Sequence, residues 1–173
     1  YRVSLKSGER KLVQQNEGFV GFTTDDDYKV RLAARFLPDG GLEMLKAAES
    51  GFVPFAQVPA ADSLTTNAIG FDKSGQVLYL LDSRDRDTSA LTKVDFASGK
   101  AEVVFADPKA DVANVLIHPT EKTLQAVSSN FLREEWKVIV RRLHPEGSRV
   151  LLTPLHGGYM STTFRVTSTD REG

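Results

Sequence analysis

Residues 70–107, GFDKSGQVLYLLDSRDRDTSALTKVDFASGKAEVVFAD, decide the fold. With the short strand 67–71 in front, they read as four strands in a row. The turn Asp72-Lys73-Ser74-Gly75 leads into an apolar strand at 76–82, and a charged loop spans 83–89. A third strand covers 90–96, the tight turn Ala97-Ser98-Gly99-Lys100 follows, and a fourth strand runs over 101–106. Strand-rich runs punctuated by Ser-Gly and Asp/Gly clusters are a hairpin signal. Four antiparallel strands joined by hairpins make one blade of a β-propeller. Val77-Leu78-Tyr79-Leu80-Leu81 is nearly continuous rather than alternating, as in a strand buried on both faces between stacked blades.

Working outward, the rest of the chain looks like partial copies of this unit. Val3-Ser4-Leu5-Lys6-Ser7-Gly8 aligns with Val94-Asp95-Phe96-Ala97-Ser98-Gly99, and Ser50-Gly51 falls in the equivalent turn between them. A second turn also repeats: Thr24-Asp25-Asp26-Asp27, Asp72-Lys73-Ser74-Gly75 and Pro119-Thr120-Glu121-Lys122 each precede a β-rich run. Both turns recur about every 45 residues, within the range of propeller blades. The expected organisation is all-β: one propeller fragment over 1–173, of roughly three to four blades, with units at about 1–15, 19–59, 67–107 and 112–173. Residues 42–50, LEMLKAAES, favour helix by composition, but the repeat puts a strand there. Pro54 falls in the last strand of its unit, an edge that tolerates a missing N–H. Residues 131–136 are read as carrying a short helical turn. After Trp136 the period fails, because the turn-like His144-Pro145-Glu146-Gly147 comes too soon after His118-Pro119 for a full blade. Strands are expected at 149–153 and 162–169.

Composition is that of an ordinary globular domain. The chain has 173 residues, 40% hydrophobic and 26% charged, with a net charge of −1 and no cysteine. Near-neutral charge gives no electrostatic footprint for nucleic acid. Without cysteine there is neither a disulfide framework nor a thiolate zinc site. No apolar run reaches membrane-spanning length, and no signal-like start is visible. The expectations are no nucleic acid, no membrane, no cofactor and a cytoplasmic location. A start at Tyr1 in mid-strand suggests a piece of something larger.

The runs GFVGFTTDDDYKVRLAARFLPDGG, SLTTNAIGFDKSGQVLYLLDSRDRDTSAL and ADVANVLIHPTEKTLQAVSSNFLREEW resemble the N-terminal propeller of bacterial serine peptidases of the prolyl oligopeptidase family, in its acylaminoacyl-peptidase-like branch. The resemblance covers about residues 1–136 and weakens from 137 onward. It implies a parent enzyme in which the propeller precedes an α/β-hydrolase domain and restricts its active site to short peptides.

Chemistry-bearing residues are sparse. No G-x-S-x-G nucleophile elbow occurs. The serines of Ser7-Gly8, Ser74-Gly75 and Ser98-Gly99 fit turns, where Ser and Gly are favoured, so no catalytic residue is assigned. His156-Gly157-Gly158 has the form of an oxyanion-hole motif, yet no nucleophile follows it, and a glycine turn between strands is the simpler reading. His118 and His144 recur before proline at equivalent turns, which argues for a structural role. Asp25-Asp26-Asp27 lacks the spacing of a calcium loop, so it reads as a solvated turn and no metal site is expected. The loop Asp82-Ser83-Arg84-Asp85-Arg86-Asp87, with its equivalent Phe131-Leu132-Arg133-Glu134-Glu135-Trp136, is the best candidate for function. Loops at one end of a propeller commonly face a partner, and arginine grips carboxylates bidentately. Arg84, Arg86, Arg133 and Trp136 are therefore the candidates for contact with a peptide or with the parent's hydrolase domain. The leading reading is a non-catalytic gating segment of a serine peptidase, and the alternative is a free-standing propeller-like interaction module. An open stack of so few blades leaves an apolar face exposed. Self-association, or completion of residues 1–15 by the C-terminal tail, is the expected remedy.

Overall fold

Short β-rich runs ending in Asp, Ser and Gly leave the chain little choice but to turn back on itself, and it does so throughout. The computed structural model describes residues 1–139, together with the backbone of two later strands at Arg149–Leu155 and Thr163–Thr169. The chain divides into two compact units, Tyr1–Lys137 and Val138–Gly173.

The first unit opens with a hairpin of β1 (Arg2–Val3) and β2 (Arg10–Lys11), pairing Arg2 with Lys11 and Val3 with Arg10. A four-stranded meander follows: β3 (Gly21–Thr24), β4 (Val30–Phe36), β5 (Leu42–Ala47) and β6 (Phe52–Val58). A 3-10 turn at Ala60–Asp62 leads to a second meander of β7 (Asn67–Phe71), β8 (Val77–Asp82), β9 (Ala90–Asp95) and β10 (Ala101–Phe105). A third sheet holds β11 (Val112–Ile117), β12 (Leu124–Asn130) and β13 (Glu134–Val138). The pairings of β1 with β2, of the strands within the first and second four-stranded sheets, and of β11 with β12 are antiparallel between neighbours in sequence. The chain is all-β, with the blade sheets of a partial propeller. In the second unit, β14 (Arg149–Leu155) and β15 (Thr163–Thr169) form an antiparallel pair. The stretches around His144 and His156-Gly157-Gly158, and the tail side chains on which completion of residues 1–15 would rest, lie outside the described residues.

The core shows why these residues take these strands. Leu32, Leu42, Met44 and Val58 of the first sheet pack against Phe71, Leu78, Leu80, Val94 and Phe96 of the second. Each side chain fully removed from water there contributes about 1.5–3 kcal/mol. β5 resists its helical composition because it is central in its sheet. Met44 pairs with Ala34 on one side and Ala56 on the other, and its side chain is buried. In β8, Leu78, Tyr79 and Leu80 are all buried, so both faces of that strand are covered. Pro54 sits on the edge strand β6, at an irregularity in its pairing with β5. The short helical turn expected at 131–136 is not formed. Residues 131–133 make a bend and β13 begins at Glu134, because Glu134 and its neighbours continue the sheet as its third strand.

One arginine ties the first two sheets at their turn end. Arg31 donates from Nη2 to the Gly75 carbonyl at 3.1 Å and from Nη1 to Asp25 Oδ2 at 3.1 Å. Its guanidinium lies 5.4 Å from the ring centre of Phe71 and 5.3 Å from that of Phe96. Burial alone would raise the Asp25 carboxyl, but N–H groups of Lys29 and Asp27 together with Arg31 hold it below its ordinary value. Gly75 has φ +69°, a conformation that favours glycine, and a Cβ there would meet Arg31 Nη1 at 2.6 Å, so a larger residue would have to push the guanidinium aside. Lys46 Nζ adds a bond to the Phe96 carbonyl at 2.8 Å. The third sheet is tied in by Tyr79, whose hydroxyl donates to the Lys122 carbonyl at 3.0 Å.

Candidate functional site

In a meander the loops joining second to third strands share one end of each sheet with the connections leaving the fourth strand. That end carries most of the unabsorbed polar chemistry. Between β8 and β9, residues 83–89 leave the sheet with Asp85 in the left-handed region at φ 59°, a conformation aspartate tolerates better than most residues. Arg84 folds back onto Asp82: its backbone N–H and Nε reach Oδ1 at 3.1 and 2.8 Å, and Nη2 reaches Oδ2 at 2.7 Å. Nη1 adds the Gln57 carbonyl of the first sheet at 3.4 Å. This is a charge-assisted fork, the strong kind of side-chain contact. Burial would raise the Asp82 carboxyl, but the bonds and charge of Arg84, with Arg86 behind, hold it below its usual value. The side-chain hydrogen bonds that Arg84 donates to Asp82 in turn push Arg84 up.

A second layer of bonds fixes the loop from below. Ser83 Oγ donates to Asp62 Oδ1 at 2.9 Å, and Ser83 N–H donates to the buried Thr66 Oγ1 at 3.1 Å. At the next seam, Ser129 Oγ donates to Asp107 Oδ2 at 2.7 Å. Ser89 N–H donates to Asp111 Oδ1 at 2.6 Å, and Thr88 Oγ1 to the Asp107 carbonyl at 2.5 Å. The hydroxyl of Ser129 and the N–H of Lys109 draw the Asp107 carboxyl down. The connections into the second and third sheets thus each send an aspartate to a serine at the end of the second strand of that sheet, Ser83 just past β8 and Ser129 within the last residues of β12. In the third sheet Glu134 Oε1 accepts from Ser128 Oγ at 2.8 Å and Asn114 Nδ2 at 2.9 Å.

The four residues singled out in the sequence separate into two kinds. Arg84 is a strut, half-buried and holding its own loop. Trp136 is half-buried within β13. Arg86 is exposed, with its backbone N–H on the Ser83 carbonyl at 3.2 Å. Arg133 is 83% exposed in its side chain and pairs with Glu135 at 2.9 Å, a surface pair worth at most about 1 kcal/mol. Arg86 and Arg133 are therefore the guanidinium groups on these two loops that a ligand can reach at little cost. Asp62, Asp107, Asp111 and Glu134, which position those loops, were not singled out. Asp62 and Asp107 lie about 45 residues apart, at the spacing of the turns, and that was the signal that would have found them.

The other motifs are occupied by local structure. Ser74 Oγ donates to Asp72 Oδ2 at 2.7 Å, Ser98 Oγ to Asp95 Oδ1 at 2.6 Å, and Ser7 Oγ accepts from Glu9 N–H at 3.4 Å. These are turn bonds, and Ser98 draws the Asp95 carboxyl below its usual value. His118 Nδ1 accepts N–H groups of Thr120 and Glu121 at 3.3 and 3.0 Å, which closes its turn. Asp26 pairs with Lys122 at 3.3 Å. Among the described residues no cluster of three or more His, Asp or Glu is arranged to hold a metal ion, and no helix is long and apolar enough to cross a membrane.

Fold and site together define a partial β-propeller that presents arginines on its second-to-third-strand loops. Its relatives are peptidases. The chain is 42% identical over 141 residues to dipeptidyl aminopeptidase BIII of Pseudoxanthomonas mexicana, a match covering 80% of this chain and 20% of that protein. It is 32% identical over 145 residues to dipeptidyl peptidase family member 6 of Caenorhabditis elegans, covering 78% of this chain and 20% of that protein. The chain thus spans about a fifth of the length of the curated relatives it matches. No family model and no solved structure matches it. The resemblance to a propeller segment of a prolyl oligopeptidase-family peptidase is borne out by these peptidase relatives.

Proposed function

We propose that this chain is the non-catalytic propeller segment of a serine peptidase, and that it gates and orients short peptides for an α/β-hydrolase domain of the parent protein. The observation that carries the reading is the 42% identity to one fifth of a dipeptidyl aminopeptidase. The turn-bound serines of the three Ser-Gly pairs support the non-catalytic part. In this reading Arg86 and Arg133 meet the carboxylate of a passing peptide or an acidic group of the hydrolase domain, while Arg84 holds its loop in place. The blade units given above and a bacterial, cytoplasmic setting belong to the same proposal; the Pseudoxanthomonas relative supports the bacterial origin.

The test has two arms. The chain alone should neither turn over chromogenic dipeptidyl substrates nor be labelled by a fluorophosphonate, and specific labelling of one of its serines would overturn the proposal. In the longer enzyme, Arg86→Ala and Arg133→Ala should raise KM for peptides several-fold and leave fluorophosphonate labelling of the hydrolase serine intact. An unchanged KM in both variants would remove the gating role.

A further inference from the structure

The seam between the first two sheets is packed through its middle and open at its loop end. Leu32, Leu42 and Met44 are buried against the second sheet. Beyond them stand three small residues, Gly21 and Ala34, paired across β3 and β4, and Ala68 of β7. They line a pocket of about 310 Å³, with Phe36 on the side of the first sheet and Ser63 and Thr66 on the side of the second. That volume lies at the small end of the range for ligand sites. Both walls belong to these two neighbouring sheets and the connection between them. Phe36, and Leu64 next to Ser63, are each more than half exposed, so the mouth is apolar as well.

The backbone does not impose this opening. A Cβ on Gly21 would meet nothing within 4 Å, and Gly21 is not among the glycines of positive φ. In the second sheet a larger residue takes the place of Ala34. Ala34 and Leu81 stand at equal distances past the turn aspartates Asp25 and Asp72, and their partners on the third strand, Met44 and Leu91, correspond.

One wall of the pocket is also the root of an arginine loop. Ser83 Oγ lies 2.7 Å from Thr65 Oγ1 and 3.1 Å from Thr66 Oγ1, and the Ser83 carbonyl accepts the Arg86 N–H at 3.2 Å. The Arg86 guanidinium makes no hydrogen bond or ion pair among the described residues. An apolar recess and an available cation therefore share one support.

We propose that this pocket is a subsite for an apolar side chain of the peptide that the loop of Arg86 meets. The inference rests on the proposed function for the ligand being a peptide. Burying the side chain against Ala34, Ala68 and Phe36 supplies affinity, the small residues set its size, and Arg86 orients the peptide by its carboxylate. The substrate class is short peptides with an apolar residue near a free C-terminus.

The probes are the tripeptides Ala-Ala-Phe and Ala-Ala-Ser, each as free acid and as C-terminal amide, titrated into the isotope-labelled full chain while backbone amide shifts are followed. The Phe acid should bind saturably, with shifts centred on Gly21, Ala34, Ala68 and Arg86, and about tenfold tighter than the Ser acid. Gly21→Val puts a side chain into open space and suits a strand, so the thermal midpoint should hold while the preference for Phe over Ser is lost. Absence of saturable binding, equal binding of the two acids, shifts centred elsewhere, or a preference for Phe that survives Gly21→Val each overturns the proposal. Failure of the role given to Arg86 looks different. The preference for Phe is then present and lost in Gly21→Val, which supports the subsite, but amidation leaves the affinity unchanged.

Discussion

Replacing Asp82 by Asn should destabilise the first unit at neutral pH by an amount that vanishes in acid. Asp82 receives three bonds from Arg84, and its side chain is 12% exposed against 30% for Arg84. Removing one partner of a fully buried pair costs about 3–5 kcal/mol, while an exposed pair is worth at most about 1 kcal/mol. A pair on the boundary, with an amide oxygen still available for Oδ1's bonds, should lose about 1–2 kcal/mol. The sign of the pH effect follows from the direction of the shift. The folded-state carboxyl lies below its ordinary 3.8, so its contribution is fully present above that value and is lost as pH falls from there through the lower folded value. Urea unfolding of both proteins across a pH series measures the gap directly. Asp25, Asp95 and Asp107 are also lowered, so both proteins weaken in acid, and only the difference between them isolates Asp82. Equal stabilities at neutral pH, or a gap that persists unchanged at the acid end, would refute the strut.

Other perturbations read the seam between the first two sheets. Arg31→Met keeps the apolar stem but removes the bond to Gly75 and the guanidinium stacked on Phe71 and Phe96; urea unfolding should show a loss of about 2–3 kcal/mol. Gly75→Ala should cost about 1–2 kcal/mol through its positive φ and through the contact of the new Cβ with Arg31. Combined with Arg31→Met it should cost less than the sum, since the two share that contact. Met44→Ala opens a cavity in the packed interface of the first two sheets and should cost about 2–4 kcal/mol, readable as a lower thermal midpoint with unchanged far-ultraviolet circular dichroism.

What the sequence disclosed and what it hid divide along a physical line. Turns are local, so Ser98-Gly99 and Asp72-Lys73-Ser74-Gly75 could be read directly. The bonds that close them run between residues two to five apart, and their repetition carried the fold. β5 was legible only through the repeat, because local propensity pointed to helix and the burial of Met44 between neighbouring strands outvoted it. At 131–136 the repeat offered only the irregular loop 82–87 as a copy, so local composition pointed to a turn of helix where a bend leads into β13 at Glu134. The arginines of the loops announced themselves by charge, but charge alone does not separate a strut from a reachable group. That distinction depends on Asp82 standing at the end of β8, beside the carbonyl of Gln57 on another sheet.

The aspartates of the connections explain why the fold and the candidate site cannot be varied independently. Asp62 holds Ser83, where the loop bearing Arg84 and Arg86 begins, and Asp107 holds Ser129, just ahead of the bend bearing Arg133. Each bond crosses from a connection to the following sheet, so it fixes the seam and the loop base at once. A carboxylate accepting a hydroxyl at the base of a loop restricts the backbone there without contacting the residues farther out. The loop tips are then free to differ in sequence while their roots remain fixed. That arrangement lets one repeated scaffold present Arg86 on one sheet and Arg133 on the next from equivalent roots. A substitution at Asp62 or Asp107 therefore loosens a seam and a loop root together, whereas one at Arg86 or Arg133 leaves both seam bonds in place.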